Sequence, residues 1–184
     1  MLSIYLSMVE TEEEKSLVEE LYIKYEQAMY RTAFSILRNK YSAEDAVQDS
    51  FIKVINHLDK IREINCNETR FYLVTIVKNT SLNMLRKKQR YPEVSIDEVF
   101  DAGADDVVED EVIGKICSEE IRNALKNLSD TDYEILFLYL VKEHTPSEIA
   151  QLLDITGNQA RQRIFRARQR LIKLLNMRGV TNGP

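Results

Sequence analysis

Two four-residue signals near the C-terminal end, Thr145-Pro146-Ser147-Glu148 and Thr156-Gly157-Asn158-Gln159, constrain the fold of this chain more than any other stretch. In each, a Thr hydroxyl can accept the N–H of the third helical residue while Glu or Gln reaches back to the Thr N–H, so each marks where a helix begins. Pro146 strengthens the first signal, because its missing donor and fixed φ suit the first helical position. Ile149, Ala150, Leu152 and Leu153 give the first helix an apolar side, and Ala150 is small enough for a helix crossing. Two capped helices joined by a short turn containing Gly read as a helix-turn-helix, a motif that in some proteins binds DNA and in others is purely structural.

The second of these helices carries a sorted surface. Advancing roughly 100° per residue from Ala160 places Ala160, Ile164, Ala167, Leu171, Leu174 and Leu175 on one arc. Arg161 and Arg168 flank it on one side, and Arg163, Arg166, Arg170 and Lys173 on the other, while Gln162 and Phe165 point outward. Arg can read guanine bidentately, Gln can read adenine, and an aromatic can meet a thymine methyl, so this face suits the major groove. A solvated Arg-rich surface helix is the alternative, and Phe165 opposite the core is the residue that alternative does not explain.

Only five Gly and three Pro occur in 184 residues, which leaves little material for the turns of a many-stranded sheet protein or for a Gly-rich phosphate loop. With 44% hydrophobic and 30% charged residues the chain is expected to be soluble and ordered. Cys66 and Cys117 are too few for a disulfide scaffold or zinc site and point to a reducing compartment. The longest apolar runs, such as Ile135–Val141, are far shorter than the ~20 residues of a membrane span. Met1–Met8 has no Lys or Arg, which argues against a signal peptide.

Apolar spacing predicts one long helix over Glu10–Arg38. Ser42, with Asp45 three residues on, is expected to cap a second helix, and a polar loop over Lys60–Asn67 to precede a third from Glu68 to Arg90. Further helices are expected over Glu119–Leu128 and, started by Ser129, over Asp130–Lys142. Net charge is −5, and it is uneven: +1 over residues 1–91, −8 over 92–117 and +2 over 118–184. The acidic, turn-prone middle reads as a linker. The expected architecture is therefore all-α: a first domain over 10–91, an acidic linker over 92–117, and a second domain over 118–176 that ends in the helix-turn-helix.

Arg86-Lys87-Lys88-Gln89-Arg90 is a second basic cluster. It ends a line of Tyr72, Ile76, Asn79, Asn83, Arg86 and Arg90 whose spacings of three and four put them on one helix face. Exposed, such a line can stack on bases, bond their edges and hold phosphates. The alternative is that Tyr72 is half-buried core and the Asn pair caps a neighbouring helix. His57 and His144 lack partners at metal-ligand spacing, and Glu44, Asp45 and Asp49 resemble a solvated or partner-binding face more than an acid–base pair. The chain is read as non-catalytic, with no metal and no cofactor. From the residues alone, a helix-turn-helix regulator that dimerises on a palindrome and a helical adaptor that binds a protein through its basic ends also remain open.

Three stretches resemble the extracytoplasmic-function (ECF) sigma factors of bacterial RNA polymerase. Ala43-Glu44-Asp45-Ala46-Val47-Gln48-Asp49-Ser50-Phe51 is similar to the family's polymerase-binding helix. Arg70-Phe71-Tyr72-Leu73-Val74-Thr75-Ile76-Val77-Lys78-Asn79, followed by Arg86-Lys87-Lys88, is similar to its −10 helix, and residues 155–168 to its −35 helix. The resemblance implies an alternative sigma factor that brings core polymerase to promoters and opens DNA locally. It implies core binding by Asp45, Gln48, Asp49, Phe51 and Lys53, with Phe51 as apolar anchor on a coiled coil of the largest polymerase subunit. It implies −10 contacts from Asn65, Asn67, Arg70, Tyr72, Asn79, Asn83, Arg86, Lys87 and Lys88, the Asn65/Asn67 loop holding a flipped base. Contacts to −35 would come from Gln159, Arg161, Gln162, Arg163, Phe165 and Arg166. Tyr72 stands where the family usually has Trp, Asn83 where Asp is common, and Asp154 where a turn Gly is frequent; Tyr72 and Phe71 are poorer wedges than Trp. Further implied partners are the flap of the second-largest subunit and an anti-sigma protein, which would hold an otherwise cytoplasmic monomer at the membrane without inserting it.

Overall fold

In the computed structural model of the protein, residues 2–90, 124, 125 and 127–176 are described. They fall into two compact units, within residues 1–107 and 108–184. All regular structure among the described residues is helical. The expected linker over 92–117 lies outside the described residues.

The first unit opens with a short helix, α1 (Leu2–Leu6), that the periodicity did not predict. Thr11 then caps α2 (Glu12–Leu37) through a complete capping box with Glu14, whose carboxyl is held below its usual range by the Thr11 N–H. Arg38 turns left-handed at φ 51° and ends α2. Asn39 immediately caps α3 (Lys40–Ile55), its Oδ1 accepting the Ser42 N–H at 2.9 Å. Ser42 is therefore not the cap expected from sequence: Asn39 takes that place three residues earlier, and Ser42 lies in the first turn. A 3-10 turn over Leu58–Lys60 leads to the segment before α4 (Asn67–Arg90).

α2, α3 and α4 pack on one another around Leu21, Met29, Ala46, Val54, Leu73 and Ile76, all at most 1% exposed. Ala33, Ala43 and Ala46 have no exposed surface, so the helices meet closely where side chains are smallest. The buried hydroxyls of Ser50 and Ser81 donate to the carbonyls of Ala46 and Val77 on their own helices, which offsets their desolvation. Tyr5 on α1 is 1% exposed and stacks on Phe51, with ring centroids 5.4 Å apart, and tilts against Tyr22 at 5.8 Å. A first domain beginning at residue 10 thus leaves out a helix that packs on the core. Five residues make too short a pattern for a period to show.

In the second unit Ser129 caps α5 (Asp130–Leu136), as expected. The helix does not continue regularly to Lys142: Phe137–Val141 forms a π-helical turn, closed by the Lys142 N–H on the Phe137 carbonyl at 3.0 Å. Of the helix expected over Glu119–Leu128, Ala124 and Leu125 are helical, while 119–123 and 126 lie outside the described residues. Both capping boxes form. Thr145 N–H donates to Glu148 at 2.7 Å and starts α6 (Pro146–Leu152). Thr156 N–H donates to Gln159 at 2.9 Å and starts α7 (Gly157–Asn176).

The turn between them is a Schellman motif. Ile155 N–H bonds the Ala150 carbonyl at 2.9 Å and Asp154 N–H the Gln151 carbonyl at 3.3 Å, with Asp154 left-handed at φ 50°. Asp performs the role usually given to Gly, and Gly157 serves as the first residue of α7. Buried His144 lies 3.6 Å from the Glu148 carboxylate at the start of α6.

Candidate nucleic-acid interface

On α7 the buried side is Ala160, Ile164 and Ala167, with Leu171, Leu174 and Leu175 half-buried beyond them. Arg161, Gln162, Arg163, Phe165, Arg166 and Arg168 are all exposed. Phe165 is 64% exposed, an apolar ring facing water with no role in the core. The helix is aimed by what surrounds it. Thr156 fixes its start, Ala150 and Ala160 permit a close crossing with α6, and the Arg170 guanidinium pairs with the Asp132 carboxylate at the start of α5. Asp132 is 8% exposed and also accepts the Ser129 hydroxyl at 2.9 Å, so Arg170 is spent on orientation. Gln159 uses its Oε1 in the capping box. Arg161 donates to Asn158 at 2.8 Å, which holds its guanidinium over the first turn.

On α3, Asp45 and Asp49 are exposed one turn apart, with Gln48 half-buried between them, an acidic face as expected. Phe51 departs from expectation. It is 1% exposed beneath Tyr5 and Tyr22 and cannot act as a surface anchor. Lys53 turns toward α4, its amine 3.1 Å from the Thr80 hydroxyl, rather than joining that face.

The line along α4 is corrected in its first half. Tyr72 and Ile76 have no exposed surface and Phe71 is 6% exposed, so none of them offers a ring to a base. α4 is gripped by both α2 and α3, and its buried arc is wide enough to take in Tyr72 beside Leu73 and Val77. The same spacing of three and four describes an exposed stripe or a core face, and here packing took it. From Asn79 onward the line surfaces: Asn79 donates to the Thr75 carbonyl, Asn83 accepts from Arg86 at 2.9 Å, and Arg86, Lys87 and Lys88 are exposed. The side chain of Arg90 lies outside the described residues.

At the other end of α4, Asn65 and Arg70 are exposed and Asn67 is the first helical residue, half-buried, so only Asn65 belongs to the preceding turn. Two contacts there escaped sequence reading. The Tyr25 hydroxyl donates to the Ile64 carbonyl, and the Thr69 hydroxyl donates to the Glu63 carbonyl at 2.6 Å. Burial pushes the Tyr25 phenol above its ordinary range, so it stays a donor. Tyr25 lies 39 residues from Ile64, and in the sequence it looks like one more apolar position of α2.

Comparison with known families matches sigma-70 region 2 to residues 21–91 and sigma-70 region 4 to residues 118–171, together more than half of the chain. The chain belongs to the sigma-70 family. Within it the relatives place it in the ECF group of alternative sigma factors, which direct transcription initiation by RNA polymerase. The ECF RNA polymerase sigma factor SigM of Bacillus subtilis (strain 168) is 27% identical over 165 residues, covering 90% of this chain and 98% of SigM. The RNA polymerase sigma factor YlaC of the same organism is 29% identical over 158 residues, covering 85% and 90%. A solved structure of the sigma factor RpoE in complex with the anti-sigma factor NepR, from Bartonella quintana, is 25% identical over 88% of this chain and 95% of RpoE, with TM-score 0.35.

Proposed function

We propose that this sigma factor divides promoter recognition among three surfaces, each made of residues described above. The face of Asp45, Gln48 and Asp49 docks on a basic coiled coil of the largest polymerase subunit, where complementary charge speeds encounter and fixes register. α7 enters the −35 major groove with Arg161, Gln162, Arg163, Phe165 and Arg166 nearest the bases. The turn carrying Asn65 holds a −10 base flipped from the duplex, and Arg86, Lys87 and Lys88 hold the phosphates of that strand. With Tyr72 and Phe71 buried, capture of that base by the turn drives opening, so strand separation is efficient only where the −10 base is a good one. The chain acts in the bacterial cytoplasm as a binding factor without catalysis of its own, and no described helix is long and apolar enough to cross a membrane. Its second unit also meets the flap of the second-largest subunit, and an anti-sigma protein holds it between uses.

The observation that carries this reading is the sorting of α7, whose apolar residues are buried and whose cations and Phe165 are exposed. Reconstitution with core polymerase tests it. Start-site-specific transcription is expected only when the chain is present, and Arg166→Ala is expected to weaken −35 use by ~1–3 kcal/mol. Tight promoter binding by the isolated chain as a dimer, with no dependence on polymerase, would overturn it.

A further inference from the structure

The turn before α4 is held at two successive carbonyls from outside itself. Tyr25 on α2 donates to Ile64, and Thr69 in the first turn of α4 donates to Glu63. On the far side of Asn65, the Cys66 thiol also meets the Glu63 carbonyl at 3.2 Å and accepts the Thr69 N–H at 3.4 Å, tying the end of the turn to the first turn of the helix. Asn65 is therefore the exposed residue between two fixed points. Tyr25 is 5% exposed and Thr69 1%, so packing holds both donors in place, and without Thr69 the Glu63 carbonyl keeps only the weaker Cys66 thiol.

We propose that Tyr25 and Thr69 are positioning residues that shape the Glu63–Cys66 turn before DNA arrives, so that the base Asn65 accepts is selected by a preset backbone. This rests on the reading of that turn as the −10 base site. A side-chain amide has one acceptor and two donors, and it discriminates among base edges only while its own backbone is fixed. A turn free to adjust would meet several bases comparably well, whereas a turn already held loses less order on binding and rejects poor fits.

The test uses the full chain with core polymerase and four fork-junction promoter templates that differ only in the unpaired −10 base presented to the turn. The readout is the ratio of affinities for the best and worst base, alongside affinity for duplex −35 DNA and the melting temperature. Tyr25→Phe keeps the buried ring and removes only the donor, and Thr69→Val removes the second donor. Each is expected to lower the discrimination ratio about fivefold, with −35 affinity unchanged, while Thr69→Ser retains wild-type discrimination. A merely structural role would lower the melting temperature without compressing the ratio. Unchanged discrimination in both Tyr25→Phe and Thr69→Val, or an equal loss for all four bases, overturns the proposal. Asn65→Ala separates the two levels: if it leaves the ratio intact, the base-site reading falls and the proposal falls with it.

Discussion

Tyr5 gives the sharpest test of how the first unit is held together. Its ring is 1% exposed and touches two aromatic partners, Phe51 at 5.4 Å and Tyr22 at 5.8 Å. Removing a large aromatic from a rigid core costs about 3–5 kcal/mol. Here the ring is carried by a helix of only five residues that can shift to close part of the space, so Tyr5→Ala is expected at the low end, about 3 kcal/mol. The hydroxyl adds a second signature. Burial first, and then Tyr22, Glu26 and Asp49, hold the Tyr5 phenol up at about 12 instead of 10. Each tenfold change in proton affinity is worth about 1.4 kcal/mol, so ionising this phenol lowers stability by at most about 3 kcal/mol. Because the folded value is the higher one, full stability is kept below pH 10 and is lost as pH rises through about 12. Urea unfolding followed by circular dichroism at pH 8 and at several values between 10 and 12 reads both effects. Tyr5→Ala should lose stability at pH 8. Tyr5→Phe should stay near wild type at pH 8 and lose less than wild type above pH 10. A Tyr5→Ala variant within about 0.5 kcal/mol of wild type, or a Tyr5→Phe variant with the wild-type alkaline slope, would refute the packing argument.

Two further outcomes follow from the second half of α4 and from the turn of the second unit. Replacing exposed Lys87 and Lys88 by Ala should reduce the slope of log affinity against log salt for −10 DNA by about 1.4–1.8, with no change in which sequence is preferred; a shifted preference would show that they read bases. Asp154→Val places a β-branched residue at φ 50° and should cost about 1–2 kcal/mol in thermal unfolding, whereas Asp154→Gly should be tolerated, and equal melting of the two would remove the left-handed turn as a constraint.

What could be seen in the sequence was whatever is local. Thr145 and Thr156 announce their helices because the bonds that matter run three residues along the chain, and Asp154 could be read as the turn residue for the same reason. The exposed side of α7 was legible because its apolar and cationic residues separate cleanly on a wheel. Tyr72 was not, since one period describes a core face and an open stripe alike, and only the contact of α4 with two other helices decides between them. Ser42 was displaced by Asn39, an equally good cap three residues earlier. Phe51 was misplaced for lack of α1, and Tyr25 with Ile64 or Arg170 with Asp132 are pairs 39 and 38 residues apart, for which no window along the chain gives a sign.

The burial pattern of α7 separates what keeps the helix in place from what it shows to the outside. Ala160, Ile164 and Ala167 are committed to the interior, and the residues between them carry no packing duty. In the −35 role proposed for α7, substitutions at Gln162, Phe165 or Arg166 would redirect the chain to new genes one letter at a time, with the scaffold beneath unaltered. A duplicated copy could acquire its own set of targets without first having to learn to fold again.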